Sequence, residues 1–376
     1  MIRSTVSMPS PHPTRTRPRP SSARHAARIA LIPRKSPDDY RAKLDRLVQY
    51  ARMHRRALVL THDNPDPDSM AAAVALSYLL ERLAGVQSIV AYGGIVGRAE
   101  NRALIRVLKL PVVPISRVVF DDFDLICMVD TQPEQGNHSL PARHFPDVVI
   151  DHHPERPESR LAPIADVGRE LGATSTVVAD YFRASGLEMP SDIATALFYG
   201  IKSDTRDLGR ETKKTDVAAY LWLFPMVDKE ALGEIEHPRL PVDYFKLYHR
   251  AIEKAALYDD AVVCDLSHIY SPDMVAEIAE RFLYLDDVKW SLAFAEYEGG
   301  LYFSIRTRDK RMNAGRIIRD VIEPRGGSAG GHGSMAGARI GVRKMGASAL
   351  AKLKQEIVLA FLKEFGVKPK RPRKIV

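Results

Sequence analysis

The sequence predicts an α/β fold: a parallel sheet with helices on both faces, then a helical stretch and a smaller α/β unit. Three observations carry that expectation. Apolar runs of four to six residues alternate with longer stretches of helical spacing through the first two-thirds of the chain. Four successive apolar runs end in acids and histidines, which strand or helix formation alone does not require. At 376 residues the chain is too long for one ordinary core, so two domains plus tails are expected.

The elements follow in order. Residues 1–36 hold Ser, Pro and Arg with no acid and are expected to be a disordered basic tail. The composition is similar to that of an organelle transit peptide, but no apolar core suits a secretory signal, and a cytoplasmic location is expected. A catalytic domain is expected over 37–226. Its helices are predicted at 37–52, 69–83, 99–109, 173–185, 191–202 and 213–223, and its strands at 57–61, 88–92, 125–129 and 147–150. Residues 227–258 turn helical and charged, broken by Pro238 and Pro241, and read as a helical linker. In the second domain, 259–366, strands are predicted at 261–266, 290–297, 301–307 and 338–342, with helices at 272–283, 315–321 and 347–365. Glu298-Gly299-Gly300 between two alternating runs is a hairpin signal, and a glycine-rich segment occupies 326–337. Residues 367–376 form a second basic tail.

The formal net charge of +8 suggests a nucleic-acid partner, but its location argues otherwise. The two tails hold thirteen of the 55 basic residues and no acid, so the body carries 42 basic residues against 47 acids. An acidic body favours short substrates over long polymers, which call for an extended basic groove. The tails offer a weak, salt-dependent RNA contact. Cys127 and Cys264 sit inside apolar runs and are expected as buried, reduced thiols. The longest apolar stretch, Met70 to Leu80, is far too short for a bilayer, so no membrane partner is expected.

The chemistry concentrates at the ends of the apolar runs. His62, Asp66 and Asp68 lie in the turn after the first strand, where Pro65 and Pro67 hold the residue before each in an extended conformation. Asp66 and Asp68 then point to one side and can reach one centre. A cap on the following helix would account for Asp68 or Ser69, but not for all three groups. Asp130 ends the third strand, where a turn cap is an equal alternative. Asp151, His152 and His153 follow the fourth; neighbouring side chains there face opposite ways, so one histidine can ligate metal while the other meets phosphate. Asp204 ends a helix, a poor place for a carboxylate unless a cation offsets the dipole. Gathered in space, these acids would repel and some would stay protonated. Two divalent cations would remove that repulsion. Oxygen-rich ligation with imidazoles and no thiolate suits Mn²⁺, or Mg²⁺, better than structural zinc. The remaining histidines, His54, His138, His144, His237, His249 and His268, read as packing or surface residues. Thr174 and Ser175 read as a helix start.

Taken in order, His62-Asp63-Asn64-Pro65-Asp66-Pro67-Asp68, Val129-Asp130-Thr131, Asp151-His152-His153 and Ser203-Asp204-Thr205 resemble the motifs of the DHH phosphoesterase superfamily. The two-domain oligoribonuclease and pAp-phosphatase type is the nearest resemblance. Ser304-Ile305-Arg306-Thr307 and Gly330-Gly331-His332-Gly333-Ser334-Met335-Ala336-Gly337 are similar to the DHH-associated C-terminal domain, so the resemblance spans about residues 40–365. Pro67 and Met335 depart from the residues usual there. The resemblance implies one ion held by His62, Asp66 and Asp130, and another by Asp68, Asp130, His152 and Asp204, with Asp130 bridging. It implies His153 at the scissile phosphate and Asp151 orienting His152. Arg306, Gly330, Gly331 and His332 are expected to hold the substrate, as a guanidinium clamp and exposed backbone amides can.

The expected activity is hydrolysis of short oligoribonucleotides to mononucleotides, or of pAp to AMP, by two-metal activation of water in a monomer or homodimer. A linear or cyclic dinucleotide phosphodiesterase is the alternative. A non-catalytic nucleic-acid-binding protein using the tails is the alternative of another class. A RecJ-type exonuclease is disfavoured because no third domain is expected here, and a family inorganic pyrophosphatase because its second domain lacks the glycine-rich signature.

Overall fold

The computed structural model describes residues 40–168, 170–368 and 371–376, together with the backbone but not the side chain of His332. The expected tail 1–36 lies outside the described residues. Two compact units emerge, one built on a six-stranded sheet and one on a seven-stranded sheet.

The first unit opens with α1 (Tyr40–Ala51), β1 (Arg56–Leu60), α2 (Pro67–Ala84) and β2 (Gln87–Tyr92). Helix α3 (Ala99–Leu108) groups with the second unit. The sheet continues through β3 (Val112–Pro114), β4 (Leu125–Val129), β5 (Val148–Asp151) and β6 (Ile164–Val167). Helices α4 (Thr174–Ser185), α5 (Ser191–Asp204) and α6 (Lys214–Leu223) complete it. Every strand pairs parallel, in the order β3-β2-β1-β4-β5-β6. All five residues of β4 are buried, as a central strand covered on both faces requires. Met70 to Leu76 of α2 are buried all round, which the alanines permit by bringing neighbouring backbones close.

That strand order has one chemical consequence. The chain runs outward through β1, β2 and β3, then returns to the middle and runs the other way through β4, β5 and β6. The direction reverses between β1 and β4, opening a crevice beyond their carboxyl ends. His62 lies two residues past β1, Asp130 one past β4, and Asp151 is the last residue of β5.

The second unit holds α7 (Lys229–Glu236), α8 (Val242–Lys254), β7 (Ala256–Tyr258), β8 (Ala261–His268), α9 (Asp273–Phe282), β9 (Trp290–Tyr297) and β10 (Gly300–Thr307). Helix α10 (Ala314–Ile322), β11 (Ser328–His332), β12 (Met335–Gly341), α11 (Ala347–Glu364) and β13 (Arg373–Lys374) follow. The strand order is β11-β12-β10-β9-β8-β7-β13, antiparallel except for β8 with β9. Alternate residues of β8 and β9 supply two cores. Val263, Trp290, Leu292 and Phe294 meet α10 and α11, while Val262, Cys264, Ala293 and Ala295 meet α8 and α9. The α8 segment, expected as part of a linker, is thus built into a core through Tyr244, Leu247 and Ala251.

Four short strands escape the periodicity of the sequence: β3, β6, β7 and β13, of two to four residues each. The glycine-rich segment is a correction as well, since it forms the β11–β12 hairpin, with Gly330 opposite Gly337 and Gly331 opposite Ala336. A β-carbon at Gly331 would strike Ala336, so glycine there serves close backbone approach. Residues 373–374 of the expected basic tail pair with Leu257 and Ala256. Both cysteines are buried; burial and Asp265 push the Cys264 thiol up to about 12, and burial with Asp147 raises Cys127 well above its usual range. No helix among the described residues is long and apolar enough to cross a membrane.

Phe361 is fully buried between Phe303 and Phe365. Phe361→Ala is expected to destabilise the second unit by about 3–5 kcal/mol, read as an earlier denaturant midpoint in urea unfolding.

Candidate metal centre

The turn after β1 is tied at several points. Asp63 donates its backbone N–H to Asn137 O at 2.6 Å and accepts from Ser139 Oγ at 2.7 Å. Asn64, expected to be extended before Pro65, instead takes a left-handed φ of 56°, a conformation its short amide tolerates better than most side chains. Asn101 Nδ2 donates to Pro65 O at 3.1 Å. Asp68 lies in the first turn of α2 and is fully buried, and it reaches across to a second helix. Its two oxygens accept the N–H groups of Thr174 and Ser175, each at 2.7 Å. It therefore satisfies the N-terminus of α4, which has no side-chain cap of its own.

Asp130 also has a left-handed φ, 58°, unusual for a residue other than glycine and the kind of strain found at functional sites. Its Oδ1 accepts from Thr174 Oγ1 at 2.7 Å. Asp151 is fully buried; its Oδ2 accepts from Gln132 Nε2 at 2.7 Å, and its Oδ1 faces His153 Nδ1 at 2.8 Å. Burial disfavours charge on both members of this pair, but their contact outweighs it. Asp151 is held below the usual carboxylate range. His153 is pushed up to about 10 by Asp151, Asp130 and Asp204. Asp204 accepts from Arg210 Nη2 at 3.1 Å, the counter-charge that a carboxylate at a helix C-terminus needs.

The geometry of His62 and His152 bears most on the chemistry. His62 Nδ1 lies 2.9 Å from Asp63 O, and His152 Nδ1 lies 3.0 Å from Leu171 O. A carbonyl only accepts, so Nδ1 carries a proton in each ring, and Nε2 is the nitrogen left to meet a metal when the ring is neutral. The Nε2 atoms face carboxylate oxygens: His62 Nε2 is 3.6 Å from Asp130 Oδ2, and His152 Nε2 is 3.7 Å from Asp130 Oδ1 and 3.3 Å from Asp204 Oδ2. So close to an anion, each Nε2 requires either a proton on the ring or a metal cation between the two. Two donors each about 2.0–2.2 Å from one ion stand roughly 3 Å or more apart. Three overlapping groups offer ligand atoms within 4.8 Å of one another: His62, Asp66 and Asp130; Asp68, His152 and Asp204; and Asp130, Asp151, His152 and His153. The donor set fits divalent cations.

All six expected ligands, with Asp151 and His153, thus fall into these groups. The residues expected to hold substrate lie in the second unit. Arg306 is buried, not exposed, and donates from Nη1 to Ser304 Oγ at 2.7 Å and Ile305 O at 2.9 Å. Gly330 and Gly331 are in β11, and the side chain of His332 lies outside the described residues. Sequence reasoning missed Gln132, Arg210 and the contacts of Thr174 and Ser175 with the acids. The run Gly172-Ala173-Thr174-Ser175-Thr176, small and hydroxyl-rich at a helix start, was the available signal. His54 packs as expected, buried with Nδ1 3.0 Å from Tyr50 O.

Comparison with known proteins adds the following. Residues 56–201 match the family model described as "DHH family, N-terminal domain", and residues 259–359 match "DHHA1 domain". The chain is 33% identical over 319 residues to an uncharacterized protein of Methanocaldococcus jannaschii, covering 83% of this chain and 64% of that protein. It is 29% identical over 174 residues to a "probable manganese-dependent inorganic pyrophosphatase" of Lactiplantibacillus plantarum, covering 46% of this chain and 56% of that one. The chain therefore spans about half to two-thirds of the length of these curated relatives. An exopolyphosphatase-related protein from Bacteroides fragilis shares the fold, with a TM-score of 0.67 at 14% identity over 86% of this chain and 98% of that chain.

Gly200 in α5 marks a tight approach beneath this cluster, since a β-carbon there would strike Ser175 Oγ and fall 3.2 Å from the Asp68 α-carbon. Gly200→Ala is expected to cost about 1–3 kcal/mol by overpacking, seen as a lower thermal midpoint.

Proposed function

The chain belongs to the DHH family, joining a DHH N-terminal domain to a DHHA1 domain, and from that premise we propose that it is a divalent-metal-dependent phosphoesterase. The proposed substrates are oligoribonucleotides of a few residues, released as mononucleotides, or pAp, released as AMP. The observation that carries the reading is the convergence of two imidazole Nε2 atoms on the carboxylates of Asp130 and Asp204, within overlapping groups of metal-ligating side chains. His62, Asp66 and Asp130 would hold one cation, and Asp68, Asp130, His152 and Asp204 the other, with Asp130 common to both. Mn²⁺ is the favoured metal, in keeping with a relative's name and with oxygen-rich ligation. Bound there, the cations would activate water and neutralise charge on the phosphoryl oxygens.

The side chains divide the remaining work. Asp63 O and Leu171 O hold Nδ1–H of His62 and His152, so Nε2 is the nitrogen that each ring turns to a metal. His153 commits Nδ1 to Asp151 and is proposed to donate from Nε2 to a phosphate oxygen. Asp151, anchored by Gln132, orients that ring rather than the expected His152, whose Nδ1 is held by Leu171 O. Arg306 and the amides near Gly330 and Gly331 are proposed to bind substrate as well. The acidic body supports a short substrate rather than a long strand.

Hydrolysis with Mn²⁺ is expected to fall at least about 100-fold in Asp130→Ala, the scale on which losing one charge-stabilising group shows. A chelator should abolish wild-type activity and added Mn²⁺ restore it. If neither protein hydrolyses any short substrate while both bind RNA, the binding-protein reading replaces this one. A panel of 5′-labelled two- to ten-mers, pAp, cyclic dinucleotides and pyrophosphate resolves the substrate. Dimers and trimers are expected to be cut fastest; uniform rates up to ten-mers would contradict the short-substrate reading.

A further inference from the structure

We propose that Asp216 is a positioning residue of the metal centre, acting through residues 171–176; the inference rests on the metal-centre reading above. Asp216 lies in the first turn of α6 and is fully buried. A helix cap needs no such burial, and a carboxylate out of water is tolerated only where its oxygens are well bonded. Its Oδ2 accepts from Lys213 N at 2.8 Å, which is the local cap. The same oxygen accepts from Gly172 N at 2.8 Å, and Oδ1 accepts from Thr176 Oγ1 at 2.6 Å. The carboxylate therefore staples both ends of one short segment lying 40 and 44 residues away in sequence.

What lies on or within those staples is the support of the centre. Leu171 O fixes the His152 tautomer. Thr174 Oγ1 accepts from His152 N at 3.2 Å and donates to Asp130. The amides of Thr174 and Ser175 hold both oxygens of Asp68. Three proposed ligands thus depend on a single stretch of backbone, and Asp216 sets where that stretch lies. Gly172 shows how tight the fit is, since a β-carbon there would fall 3.1 Å from Asp216 Oδ2 and 2.6 Å from Thr205 Cγ2.

The bonding makes a distinctive set of variants. Asp216→Asn can keep all three partners, because its amide oxygen takes both backbone N–H groups and its NH₂ donates to the Thr176 hydroxyl. Asp216→Ala keeps none, and Asp216→Glu keeps the charge but moves the oxygens by a methylene. Two readouts on the full chain test this. The ¹⁵N imidazole spectrum of the metal-free protein, with His152 assigned through His152→Gln, reports the tautomer. Mn²⁺ titration followed by electron paramagnetic resonance reports affinity.

Asp216→Ala and Asp216→Glu are expected to lose the single Nδ1–H state of His152 and to bind Mn²⁺ about 10–100-fold more weakly. Asp216→Asn is expected to restore both. If Asp216→Ala does not fold, Asp216→Glu carries the comparison. A wild-type tautomer or wild-type Mn²⁺ affinity in Asp216→Glu overturns the proposal, as does an Asn variant as damaged as the Glu one. Should wild type bind no Mn²⁺ while the Glu variant still loses the His152 tautomer, the metal-centre reading fails and the positioning role stands.

Discussion

Mutual repulsion among Asp68, Asp130, Asp151 and Asp204 is the constraint around which the first unit is arranged. Like charges brought this close repel one another, and removal from water adds to the cost of holding them. A parallel sheet whose order reverses between β1 and β4 supplies the only thing that makes such crowding natural, a place where several loops converge beyond the strand ends. The fold thus creates the problem and the location together.

The protein answers with donors that solvate the acids without cancelling most of their charge. Backbone amides of α4 serve Asp68, a threonine hydroxyl serves Asp130, and a glutamine amide serves Asp151. Arg210 on Asp204 and His153 on Asp151 add cationic partners. Neutral donors hold Asp68 and Asp130 in place without cancelling their charge. Cations arriving there meet ligands already aimed and bonded from behind, so less ordering has to accompany binding.

The main elements were legible because their signals are local. Buried strands such as β4 are continuous apolar runs, and helices such as α9 repeat their apolar residues every three or four positions. The four short strands were not, since two to four residues carry no usable period and their pairing is decided by neighbours. The hairpin at 328–341 hid because glycine has no side chain to alternate. At the site, chemistry-bearing types announced themselves at strand ends. Their supporters did not: Thr174 and Ser175 read as a helix start, which they are, and only tertiary structure shows that the helix end faces Asp68 from 106 residues away.

The two sulfhydryls have a practical bearing. Both lie deep in β4 and β8 and hold their protons far above neutral pH, so neither offers the thiolate that alkylating reagents attack. The native protein is therefore a silent background for maleimide chemistry. A cysteine introduced at an exposed position would take a spin or fluorescent label alone, without first removing the natural pair.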